Sequence, residues 1–104
     1  MLFDPAPGPR VEKIMSPTRA EFETGLERLT GAPAQAMDAQ TYDLSAAANG
    51  LPATCTYEPQ ADAVLGGLVR LPRILVTLHL EALSTEQRVD LVGRFDRVFQ
   101  RGGG

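Results

Sequence analysis

The stretch RILVTLHLEALSTEQRVDLVGRFDRVF, residues 73–99, decides the fold. Its first part alternates. Ile74, Val76, Leu78 and Leu80 fall on one face, while Arg73, Leu75, Thr77, His79 and Glu81 fall on the other. That period of two is what a half-buried strand requires. The second part changes period. Val92, Phe95 and Phe99 recur at i, i+3 and i+7, with Leu91 and Val98 beside them, which is the apolar stripe of an amphipathic helix. The junction carries Ser84 and Gln87 at the spacing of a capping box, with Glu86 near the positive end of the helix dipole. Arg97 and Arg101 sit in the last turns, where cations suit the dipole. A strand and a helix with one apolar face each must bury those faces against one another, so a two-layer α+β arrangement follows.

Upstream, Pro72 interrupts the run 68–82. Proline cannot donate to a ladder, so it marks a bulge, an edge or a break between two strands. Residues 59–67, PQADAVLGG, read as a loop, with a helical turn within it as an alternative. Residues 41–58 read as a hairpin. Tyr42, Leu44 and Ala46 alternate with Asp43, Ser45 and Ala47, and Ala53, Cys55 and Tyr57 alternate with Thr54, Thr56 and Glu58. Between them Asn49-Gly50 is a turn pair that tolerates positive φ. Residues 31–40 read as a loop or a short helical turn.

An earlier helix carries Phe22, Leu26 and Leu29 in one stripe and ends at Thr30-Gly31, with Pro33 beyond. Its start has two candidate caps: Ser16 with Pro17 in the first helical position, or Thr18 with Glu21 as a capping box one turn later. Residues 1–15 hold three prolines and little periodicity, which predicts an extended or flexible arm, and Met15 is an alternative start. The expected order is α-β-β-β-α: an antiparallel sheet of three or four strands with two helices packed on one face. It forms a single domain over 16–101, preceded by the arm 1–15 and followed by a flexible glycine tail, 102–104. Its predicted core is Phe22, Leu26, Leu44, Cys55, Tyr57, Val76, Leu78, Leu80, Phe95 and Phe99.

Composition narrows the class. At 104 residues, 43% hydrophobic and 22% charged, the chain suits one globular domain and not wholesale disorder. Cys55 is the only cysteine, so no internal disulfide forms and a reducing, cytoplasmic setting is expected. No apolar run is long enough to span a bilayer, and the N-terminus lacks the basic-then-apolar order of a signal peptide. Lys13 is the sole lysine, against nine arginines, in a chain rich in Ala and Gly. This reads as a bacterial sequence of GC-rich codon usage, in which a surface arginine need not mean guanidinium chemistry. The net charge of -3 divides unevenly. Residues up to Leu65 hold four bases and nine acids, and residues from Gly66 hold six bases and four acids. A strongly basic footprint for nucleic acid is absent.

Residues able to carry chemistry are few. His79 shares a strand face with Thr77 and Glu81, so a His–Glu pair is conceivable. Its simpler role is that of a solvated strand histidine. Cys55 alternates with the inward residues, as a structural core cysteine does. No CxxC, HxxxH or HExxH spacing offers metal ligands. Gly66-Gly67 leads into a strand, not into the helix that a phosphate loop needs. Arg94, Arg97 and Arg101 share one helix face, and Asp90 lies four residues before Arg94. The α-β-β-β-α order resembles that of double-stranded RNA-binding domains. The last helix opens with Ser84, Thr85, Glu86 and Gln87 instead of a lysine cluster, so no phosphate contact carries over.

The sequence therefore predicts a small interaction or accessory protein acting through an open sheet face or edge. Its expected partner is a protein, self or other, with a homodimer included. A second reading is a small-anion or nucleic-acid site built from Arg70, Arg73, Arg94, Arg97 and Arg101. A third is an enzyme using His79 with Glu58 or Glu81. The candidate binding residues are Arg70, Arg73, Thr77, His79, Glu81, Arg94, Arg97 and Arg101. No catalytic residue, metal ligand, cofactor or membrane partner is expected.

Overall fold

Capping chemistry places both helices. Thr18 accepts from the Glu21 backbone N–H at 3.1 Å while the Glu21 carboxylate accepts from the Thr18 N–H at 2.8 Å, so the second of the two candidate caps starts helix α1 (Arg19–Thr30). Gly31 ends it in the left-handed region, φ 74°, donating to the Glu27 carbonyl. Ser84 and Gln87 form the same reciprocal pair, at 3.2 and 2.8 Å, before helix α2 (Thr85–Gly102). The computed structural model describes residues 6–65 and 69–102, and the side chains of 6–61 and 72–100.

The sheet has four antiparallel strands in the order β1-β4-β3-β2: β1 (Arg10–Met15), β2 (Thr41–Asp43), β3 (Thr54–Leu65) and β4 (Val69–His79). The element order is therefore β-α-β-β-β-α. The α+β class, the antiparallel sheet and the two helices agree with the sequence reading, and a leading strand is added to it. Residues 10–15, assigned above to a flexible arm, are edge strand β1, pairing from Arg10↔His79 to Met15↔Ile74. Of the rest of the expected arm and tail, residues 6–9 lead into β1, residues 1–5 and 103–104 lie outside the described residues, and Gly102 is the last residue of α2.

The loop reading of 59–67 is revised, and of the three alternatives left open at Pro72 the bulge holds. The expected loop over 59–67 is strand as far as Leu65, and Gly66 and Gly67 lie outside the described residues. Pro72 does not split β4. It stands opposite an irregularity between Gln60 and Ala63 of β3, where the ladder shifts register. A bulge leaves residues without partners, so a missing N–H costs little there. β2 is shorter than expected, and Ser45–Ala47 form a 3₁₀ turn. Consequently Ala47 and Ala48 are buried, where simple alternation would have pointed Ala46 inward. Asn49 (φ 55°) and Gly50 (φ 85°) supply the left-handed pair the loop needs. Residues 31–40 contribute an isolated bridge, Ala36↔Tyr42, and no helical turn.

Both helices lie on one face of the sheet. Phe22 of α1 is the hub of the layer between. Its ring stands 5.7 Å from Tyr42, 5.0 Å from Tyr57 and 5.4 Å from Phe99, within the range of favourable aromatic pairing. Cys55, Val76, Leu78, Leu80, Leu91 and Phe95 complete the layer, each at most 1% exposed. Of the predicted core only Phe99 is partly exposed.

Candidate functional site

The face of the sheet turned away from the helices is organised in rows by strand register. One row reads Asp43, Thr54, His79, Arg10; the next reads Thr41, Thr56, Thr77, Glu12; a third reads Glu58, Leu75, Ile14. Directly opposed side chains on one face of an antiparallel pair are neighbours, so Thr77 sits between Thr56 and Glu12 and is only 6% exposed. His79 has Thr54 and Arg10 as row neighbours. The carboxylates considered for it lie elsewhere. Glu58 is two rows away, and Glu81 lies past the end of β4 in an exposed turn.

The arginines are divided between the two sides of the sheet. Arg73 is exposed, opposite Gln60, and by alternation from buried Ile74 it belongs to the face away from the helices. Arg94 points back into the fold. It donates to the Ala47 carbonyl at 2.6 Å and to Asp90 at 2.9 Å, tying α2 to the β2–β3 loop. Arg88 likewise donates to the Leu80 carbonyl at 3.3 Å. Arg97 is exposed on α2. Arg70 of β4 pairs through its backbone with Val64 of β3, and the side chains of Arg70 and Arg101 lie outside the described ones. Among the described residues, then, Arg73 and Arg94 do not meet, and Arg94 is occupied by the fold itself.

Cys55 is fully buried, and burial pushes its thiol pKa up to about 12. It is a core residue on the helix side, while His79 faces the other way. Among the described residues no group of three or more His, Cys, Asp or Glu side chains could hold a metal ion. None of their helices is long and apolar enough to cross a membrane.

One concavity lies where sequence patterns gave no hint. A groove of about 930 Å³ opens between the end of β1, α1 and the last turns of α2. Met15, Pro17, Ala20, Phe95, Val98 and Phe99 make it largely apolar, and Gly25 forms part of its wall. Its rim carries Glu21, Arg28 and the ion pair Lys13–Asp96, 2.8 Å long. Ile14, on the same strand, is 56% exposed. The volume matches that of pockets that hold ligands or side chains of a partner. Beside it runs the outer edge of β1. Among the described residues no backbone group pairs with that edge, since β1 ends the strand order and bonds only to β4. The opposite edge is different. At β2 the Met37 N–H donates to the Thr41 carbonyl at 2.7 Å and the Asp43 N–H to the Gln35 carbonyl at 2.9 Å, so residues 35–37 cover it.

Among the described residues, fold and site thus define a two-layer α+β protein with one covered sheet edge, one open edge and an apolar groove beside the open one. Comparison with family models, with curated proteins and with solved structures finds no match to the chain.

Proposed function

We propose that this chain is a small interaction module that docks another protein along the β1 side of its sheet. The observation that carries the reading is the coincidence of the β1 edge, unpaired among the described residues, with the adjoining apolar groove. A free edge supplies a row of backbone donors and acceptors, and an apolar concavity beside it supplies burial. Ile14, 56% exposed on the sheet face away from the helices, adds apolar surface to the same strand. The reading sharpens the sequence-based expectation of an open face or edge to one strand. As part of the same proposal, the module works in the bacterial cytoplasm, supported by one unbridged, buried cysteine and by arginine-rich composition.

The test is a pull-down of the tagged full chain from its own cells, at low and high salt and with nuclease. A protein retained under all conditions and lost with Ile14→Lys is the expected result. Retention of nucleic acid alone, removed by salt, would replace the reading with a charged-polymer binder.

A further inference from the structure

We infer that the groove between β1, α1 and α2 binds a small amphiphile: one unbranched apolar chain ending in a single anionic group, carboxylate or phosphate, held by Arg28. This goes beyond the reading above, which concerns a protein docked along the β1 edge, and does not depend on it.

The two helices set the shape. On α1, Ala20, Thr24 and Arg28 line the groove at intervals of four residues, so they form one row about 12 Å long. Facing that row on α2 are Phe95, Val98 and Phe99. The side chains of Ala20 and Thr24 are small, and those of Phe95, Val98 and Phe99 make the space beside them apolar. At about 930 Å³ the groove has the size of sites that enclose small molecules. An elongated apolar space suits an unbranched hydrocarbon, in which each buried CH₂ adds affinity.

The charges on the rim select the head group. Lys13 and Asp96 answer each other at 2.8 Å. The Glu21 carboxylate belongs to the capping box. It accepts from the Thr18 N–H at 2.8 Å, where the positive end of the α1 dipole favours it. Arg28 differs from all three. It is exposed, and among the described residues it makes no ion pair and no side-chain hydrogen bond, whereas Arg19, Arg88 and Arg94 each make one. Among the described rim residues the unanswered charge is therefore positive, and it stands at the end of the Ala20–Thr24–Arg28 row. A guanidinium takes a carboxylate or phosphate through two parallel N–H···O bonds. A neutral head leaves those donors to water.

The experiment titrates the full chain with octanoate, octyl phosphate, 1-octanol and acetate, below micelle concentrations, and follows amide NMR shifts. Saturable shifts at Ala20, Thr24, Arg28 and Phe99 are expected with either octyl anion, and the tighter of the two names the head. Octanol should bind about tenfold more weakly, the loss of one charge-assisted pair. Acetate should not bind, since it buries no chain. Arg28→Ala should lower octanoate affinity about tenfold and leave that of octanol unchanged. Arg28→Lys should restore part of the loss, because it keeps the charge without the fork. Ala20→Trp, placed at an exposed position, should fill the row and abolish binding of both without lowering the thermal midpoint. Equal affinity of the wild type for octanoate and octanol overturns the inference, as does an equal loss of both in Arg28→Ala. Undiminished binding by Ala20→Trp, or no binding at millimolar octanoate, also overturns it. The pull-down above reads the β1 edge and this titration reads the groove, so either proposal can fail while the other stands.

Discussion

Gly25 of α1 lies directly beneath the ring of Phe99 of α2. A Cβ at residue 25 would overlap the Cε1 and Cζ atoms of that ring and stand 3.2 Å from Cδ1. The absent side chain is what lets the two helices meet and the Phe22–Phe99 stack form. Gly25→Ala gains helix propensity, worth roughly 1 kcal/mol, but overpacks the contact at a cost of about 1–3 kcal/mol. We expect a net fall of several degrees in the thermal midpoint by circular dichroism, largely reversed by adding Phe99→Leu. An unchanged or raised midpoint for Gly25→Ala would show that the ring simply moves aside.

The Tyr42 hydroxyl donates to Glu23 Oε2 at 2.6 Å and accepts from Arg19 Nη1 at 3.0 Å, while the same guanidinium sits 4.5 Å over the Tyr57 ring. This cluster fastens the first turns of α1 to β2 and β3. Tyr42→Phe should cost about 1 kcal/mol in urea unfolding, the usual net worth of such a bond. A double-mutant cycle with Glu23→Gln should give a coupling of similar size. Additivity of the two changes would mean the bond contributes nothing.

Burial holds Cys55 protonated up to about pH 12, while the unfolded chain releases that proton from about pH 9. Between those values the native state binds more protons, so stability falls as pH rises, with a slope from this group approaching about 1.4 kcal/mol per pH unit. Tyr42 and Tyr57, whose hydroxyl pKa values are also raised by burial, act in the same direction. Cys55→Ala should therefore flatten, not abolish, the alkaline limb of a stability–pH profile. In the wild type, Ellman's reagent at pH 8 should react only after denaturant is added. Prompt reaction of the native protein would contradict the burial.

Arg94 and Arg97 are three residues apart on α2 but have different work. Arg94 spans to the Ala47 carbonyl, and Arg97 is exposed. Arg94→Ala should cost about 1–3 kcal/mol, because it leaves a partly buried carbonyl without its charged donor. Arg97→Ala should stay within about 0.5 kcal/mol, as surface substitutions do. Equal effects in urea titrations would deny Arg94 its structural role.

The parts of this fold that were readable in the sequence are those written in local spacing. Thr18 with Glu21, Ser84 with Gln87, and Asn49 with Gly50 each declare an element end within a few residues. The alternation through Ile74, Val76, Leu78 and Leu80 declares the buried strand. β1 was hidden because one of its three helix-facing positions is Lys13, whose charge is met by Asp96 at the far end of the chain. No local pattern announces such a partner. The outer half of β3 was hidden by Pro59 and by the register shift after Gln60, which break the period of two. The groove was invisible for a related reason. Its walls come from β1, α1 and α2, and only packing brings them together. Arg94 looked like part of a charged face because spacing shows which residues align, not which carbonyl one of them reaches.

The pairing of Arg10 with His79 has a consequence for biosynthesis. β1 leaves the ribosome first among the strands, yet its ladder does not exist until β4 has followed. At about 5–20 residues per second, Val11, Ile14 and Met15 wait several seconds beside no partner. During that interval Arg10, Glu12 and Lys13 place charge in the unpaired segment, one recognised guard against edge-to-edge association.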